Sequence, residues 1–143
     1  MGLGMMAIVL EGSGSRLLEP ANRPEDHAAA AAFRGLRDGS GPWYARGGSS
    51  LPYATVRGQR RDWLIDVWDG PGHLIQDRVG QYIEGNVLSD AQMKSLASSF
   101  EDIPWTPWVG ERYSRVDERF YRDLGAFLRI CTDHGLSVSF AKG

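Results

Sequence analysis

Met5–Leu10, which reads Met-Met-Ala-Ile-Val-Leu, is the segment that most constrains the fold. Successive side chains of a strand point to opposite faces, so an unbroken apolar run needs cover on both. It predicts a central strand of a sheet. The run is far too short to cross a bilayer, which takes about 20 apolar residues.

The elements around that strand follow from local signals. Glu11–Arg16, Glu-Gly-Ser-Gly-Ser-Arg, reads as a flexible turn. A first helix is expected after it, with Asn22 as N-cap, Pro24 at the first helical position, Glu25 and Asp26 complementing the dipole, and Gly39 just past its end. Ala28–Ala32 give high helix propensity and close packing onto a sheet, with Phe33 and Leu36 as larger core contacts. Residues 39–50 form a glycine-punctuated loop around Pro42-Trp43-Tyr44. Residues 52–57 and 62–68 read as an antiparallel pair turned near Gly58-Gln59, followed by a firm Asp69-Gly-Pro-Gly-His73 turn.

Leu74–Glu84 fits two patterns. Ile75, Val79, Tyr82 and Ile83 suit a helical face, but Gly80 inside a helix would cost about 1 kcal/mol. Alternation at Ile75, Asp77 and Val79 after a Gly-Pro-Gly turn favours a third strand, hairpinned onto 62–68. Beyond it, Ser89 with Gln92 makes a capping box for a helix whose stripe is Met93, Leu96 and Phe100. Ile103-Pro-Trp-Thr-Pro-Trp108 breaks that helix. A long helix is expected from near Ser114, boxed with Asp117, with Val116, Phe120, Leu124, Phe127 and Cys131 as its apolar stripe and Gly135 as its stop. Leu136–Ala141 alternates as a half-buried strand.

This order predicts an α+β fold: an antiparallel or mixed sheet of four to five strands with about three helices packed mainly on one face. At 143 residues, a single domain over 1–143 is expected, and 42% hydrophobic with 24% charged residues is the composition of an ordinary globular chain. The lone cysteine, Cys131, cannot form an internal disulfide. No basic residue precedes the apolar run, which does not read as a secretion signal, so a cytoplasmic protein with no membrane contact is expected. Arginine dominates the basic residues, the lysines being Lys94 and Lys142, a bias that suggests a GC-rich bacterial source.

The formal net charge of −2 argues against a chain whose main work is holding nucleic acid phosphates. Arg57, Arg60 and Arg61 near Trp63 do combine basic and aromatic residues, as single-strand binders do, but a charged hairpin tip also protects a sheet edge. Gly12-Ser-Gly-Ser15 lacks the third glycine of a dinucleotide loop, and no Walker-type loop or Gly-x-Ser-x-Gly elbow occurs. No cofactor is implied.

Cys131 falls on the apolar stripe near a helix C-terminus, where a thiolate is disfavoured, so it reads as core. His27 sits in a helix first turn and His134 beside the terminating Gly135, both with structural readings. His73, with Asp69 four residues back and Asp66 on the preceding strand, is the candidate general base with an orienting carboxylate, although Asp and His also favour turns for local bonding. The same trio matches no known metal-ligand spacing, so no metal is expected. Trp43, Tyr44, Trp68, Trp105 and Trp108 are candidate ligand-contacting aromatics; Pro104 and Pro107 limit the freedom around Trp105 and Trp108, and a lid sealing one end of the core is the favoured reading of Pro104–Trp108. A module that binds a small molecule or a protein, with a homodimer as one form, is the leading expectation. A small enzyme built on His73 with Asp66 or Asp69, and a single-stranded nucleic acid binder, are the alternatives.

Overall fold

The computed structural model describes residues 2–36, 55–56, 59–60 and 62–142. Its centre is the strand β1, Leu3–Glu11, which contains the apolar run and is paired along both edges. Met5 lies opposite Ile65 on one side and Phe140 on the other; Ile8 lies opposite Leu17 on one side and Ser137 on the other. Two short strands, β2 (Gly14–Leu17) and β5 (Leu64–Asp66), therefore share one edge of β1, and β6 (Ser137–Lys142) runs along the other. All these pairings are antiparallel. A separate two-stranded ribbon joins β3 (Thr55–Val56) to β4 (Gln59–Arg60).

The fold is α+β, with an open four-stranded antiparallel sheet. The described residues include five α-helices rather than three: α1 (His27–Gly35), α2 (Gly70–Val79), α3 (Asp90–Asp102), α4 (Pro107–Arg112) and α5 (Glu118–Asp133). Alternate residues of the sheet, Leu3, Met5, Ala7, Ile65, Val138 and Phe140, enter one core cluster with Phe33, Leu74, Leu96, Val109 and Leu124 from the helices. Burying these side chains together is the main drive for assembly.

Several local expectations change. Residues 70–79 are helix, not a third strand: Pro71 fits a helix first turn as well as a hairpin, and Gly80 stands at the C-cap with φ 72°, where it costs nothing. Leu64–Asp66 pairs with β1, and Val56 lies opposite Gln59 rather than opposite a residue of 62–68. The 11–16 segment is a tight hairpin, Glu11 opposite Gly14, that starts β2. The first helix opens with a 3-10 turn at Pro24–Asp26, with Arg23 rather than Asn22 at the N-cap position and no side-chain capping bond. The long helix begins at Glu118 with Asp117 as N-cap, its carboxylate accepting from the Phe120 amide at 2.8 Å; Ser114 is engaged elsewhere. Gly39 and the 39–50 loop lie outside the described residues.

Other signals hold. Ser89 and Gln92 form the reciprocal capping box, with bonds of 3.1 and 2.9 Å. Val116, Phe120, Leu124, Phe127 and Cys131 are all buried. The outer edge of β6 is covered by 85–88, through Gly85 to Phe140, Phe140 to Asn86 and Leu88 to Val138 backbone bonds. Among the described residues no helix is long and apolar enough to cross a membrane.

Candidate ligand-binding cleft

The chain leaves β5 at Asp66 and enters α2 at Gly70, and the tight passage between them sets the site. The Asp66 carboxylate accepts the Trp68 amide at 2.9 Å, which folds the turn back on itself. Asp69 takes φ 69° and ψ −120°, a conformation that non-glycine residues rarely adopt. Gly70 then packs directly on the Ser114 backbone, so close that a Cβ there would stand 1.7 Å from the Ser114 carbonyl oxygen.

The α4–α5 connection clamps this turn. Ser114 Oγ donates to Asp69 Oδ2 at 2.8 Å, and Arg115 donates to the Trp68 carbonyl at 3.0 Å while approaching Asp66 at 3.7 Å. Arg115 itself has φ 68°. Two positive-φ residues, Asp69 and Arg115, thus lie in the two segments that these hydrogen bonds join.

Beside the turn lies a cleft of about 350 Å³, lined by Leu3, Trp68, Asp69, Gly72, His73, Gln76, Tyr82, Glu84 and Lys142. Trp68 is 40% exposed and Tyr82 62%, two aromatic faces open to solvent. Around them stands a polar rim. Tyr82 donates its hydroxyl to Glu84 at 2.7 Å, a bond that raises the phenol pKa above its ordinary value and keeps it protonated. Lys142 approaches the other Glu84 oxygen at 3.5 Å. Gln76 Oε1 accepts the Ile83 amide at 3.3 Å.

The candidate residues divide as follows. Trp68, Asp69 and His73 share the cleft. His73 Nδ1 is 3.9 Å from Asp69 Oδ1, beyond hydrogen-bond distance, and both side chains are well exposed. Asp66 serves the backbone turn and Arg115 and does not line the cleft. Trp105 and Trp108 do not line it either. Trp105 is partly buried, donates to the Val116 carbonyl at 3.0 Å and lies against Gly110, the lid arrangement, whereas Trp108 is 62% exposed on α4. Trp43 and Tyr44 lie outside the described residues, as do Arg57 and Arg61; Arg60 falls in β4. Among the described residues no group of three or more His, Cys, Asp or Glu side chains is placed to hold a metal ion. Cys131 is fully buried, and burial pushes its thiol pKa well above the ordinary value.

Gln76, Tyr82, Glu84 and Lys142 were not among the candidates from sequence. With α2 recognised as a helix, Asp69, His73 and Gln76 fall at i, i+4 and i+7 on one face, a spacing that was available. Lys142 arrives through strand register, opposite Leu3. No protein-family model, curated protein or solved structure matches the chain.

Proposed function

We propose that this protein is a binding module whose ligand occupies the cleft beside the β5–α2 turn. One observation carries the reading: Trp68 and Tyr82, both exposed, line one cleft together with the Asp69, His73, Gln76, Glu84 and Lys142 side chains. Small-ligand sites combine apolar surface with a few fixed polar groups in this way. The clamp from Ser114 and Arg115 supports the reading further, because a turn already held in place loses little entropy when a ligand docks.

Labelling the tryptophans with 5-fluorotryptophan gives each a fluorine resonance, and Trp68→Phe assigns that of Trp68. A panel of small metabolites should contain compounds that shift the Trp68 signal saturably and leave the Trp108 signal in place. A panel whose binders all move Trp108 and none Trp68 would place the ligand elsewhere.

A second reading, a small enzyme with His73 as acid–base group, is favoured by the closeness of Asp69 to His73 in the same cleft. It ranks second because the His73 imidazole and the Asp69 carboxylate, 3.9 Å apart, do not meet in a hydrogen bond, and an oriented base needs one. Should a reaction be identified, His73→Ala is expected to abolish it; retained turnover removes this reading.

A further inference from the structure

We infer that the ligand class of this cleft is a neutral, hydroxyl-rich small molecule of the saccharide type, an inference that rests on the binding reading above. The reasoning begins with the rim, where donors and acceptors are interleaved. Glu84 and Asp69 offer acceptor oxygens; Lys142 offers only donors; Gln76, its Oε1 taken by Ile83, offers its amide N–H groups. A hydroxyl can donate to the first two and accept from the others. A cation only donates and meets Lys142; an anion only accepts and meets two carboxylates.

Charge points the same way. Each carboxylate is already engaged, Asp69 by Ser114 at 2.8 Å and Glu84 by Tyr82 at 2.7 Å with Lys142 at 3.5 Å. A charged ligand would have to displace or share these partners, while its own desolvation opposes binding. A neutral polyol adds bonds to the remaining lone pairs without removing any. The existing bonds also hold the carboxylates in one orientation, so less side-chain entropy is lost on binding.

The aromatics supply the other half of recognition. Trp68 and Tyr82 present wide apolar faces at the rim of the cleft. A sugar ring has one face of C–H bonds and an equatorial fringe of hydroxyls, and it can cover such a face while its fringe reaches the polar groups. A phosphorylated ligand is disfavoured by Asp69 and Glu84 together.

Titration of the fluorine-labelled protein with glucose, galactose, N-acetylglucosamine and cellobiose, and in parallel with argininamide, inorganic phosphate, citrate and uridine, tests this. The neutral sugars should shift the Trp68 resonance saturably. Tyr82→Ala and Glu84→Gln should each weaken that binding roughly tenfold or more, the loss expected for one stacking face or one charged acceptor. Trp108→Ala should leave it unchanged. Each variant counts only if its remaining fluorine resonances keep their positions, which establishes folding; Tyr82→Ser replaces Tyr82→Ala if the latter does not fold. Saturable binding of argininamide, phosphate, citrate or uridine with none of the sugars would overturn the saccharide assignment and leave the cleft reading standing. If no probe moves Trp68, both fall.

Discussion

Ser114 and Asp69, 45 positions apart in the chain, meet through a 2.8 Å hydrogen bond from the serine hydroxyl to Asp69 Oδ2, and the backbone of the same serine forms the wall against which Gly70 packs. The contact joins the turn that enters α2 to the segment that precedes α5. Arg115 doubles it by donating to the Trp68 carbonyl at 3.0 Å. Trp68 and Asp69 both line the cleft, so the contact that closes the fold here also holds the proposed site in shape.

Gly70 is the position this arrangement depends on most. A Cβ would fall 1.7 Å from the Ser114 oxygen and 2.5 Å from its nitrogen, and both are backbone atoms with no rotamer to yield. Gly70→Ala should therefore lower stability by about 3 kcal/mol or more, as overpacking against fixed atoms does. Urea denaturation measures it. A loss below about 1 kcal/mol, the ordinary effect of a point mutation, would show that the two segments separate readily.

Asp69 combines a hydrogen bond with an unfavourable backbone at φ 69°. Asp69→Ala removes the bond and keeps the strain; Asp69→Gly removes the same bond and relieves it. The glycine variant should be the more stable of the two by about 1 kcal/mol. The reverse order in denaturant midpoints would mean that the backbone there carries no strain.

A second clamp lies at the far end of β2. Arg16 grips Asp26 with bonds of 2.6 and 3.3 Å, and the Glu19 amide donates to the same carboxylate at 2.8 Å. The Arg16 hydrogen bond, more than any other cause, pulls the Asp26 pKa below its ordinary 3.8. A carboxyl depressed on folding stabilises the folded state above its unfolded pKa and loses that contribution as pH falls through the folded value. Wild type should thus lose, below about pH 4, stability that Asp26→Asn lacks at every pH. At neutral pH the asparagine variant should be weaker by about 1–2 kcal/mol, since Arg16 loses its most buried charge partner and keeps only the more exposed Glu11 and Glu25. Urea midpoints of both proteins against pH check this; curves that stay parallel into acid would assign the acid loss to other carboxyls.

The parts of the fold that could be read from sequence are those specified by local chemistry. Met5–Leu10 became the central strand, with Met5, Ala7 and Ile8 buried, while Leu10 at its end stays exposed. Ser89 with Gln92 capped α3, and Phe120, Leu124, Phe127 and Cys131 became the buried side of α5, with Val116 buried just ahead of it. The misread parts depend on partners distant in sequence. Gly-Pro-Gly suits a hairpin turn and a helix first turn alike, and what selects the helix is the fit of Gly70 against Ser114. Gly14–Leu17 resembles a loop by composition, yet it pairs through main-chain groups that β1 supplies. The site shows the same division. Trp68, Asp69 and His73 could be picked from one local stretch, whereas Lys142 reaches the cleft only because β6 aligns it with Leu3.

Trp105 and Trp108 flank the same Thr-Pro dipeptide and have opposite situations. The Trp105 indole donates to the Val116 carbonyl at 3.0 Å and rests 3.1 Å from where a Gly110 Cβ would be; Trp108 stands 62% exposed. Trp105→Phe should cost about 1–2 kcal/mol, from a lost hydrogen bond and a smaller ring over the core. Trp108→Ala should fall within about 0.5 kcal/mol of wild type. Equal effects in thermal or urea unfolding would contradict the lid assignment of Trp105.

Cys131 offers a probe of the core that needs no substitution. Its sulfur is fully buried on the inner side of α5, and burial raises the thiol pKa well above its ordinary value, which disfavours the thiolate. Disulfide reagents such as 5,5′-dithiobis(2-nitrobenzoate) react with thiolate, so modification has to wait for an opening that exposes this helix face. Labelling should be negligible for the native protein at mildly alkaline pH and should accelerate with urea in step with the population of open molecules. Gly70→Ala, destabilised globally, should label faster than wild type at the same urea concentration. Rapid stoichiometric labelling of the native wild type would mean that the α5 face opens independently of the rest of the core.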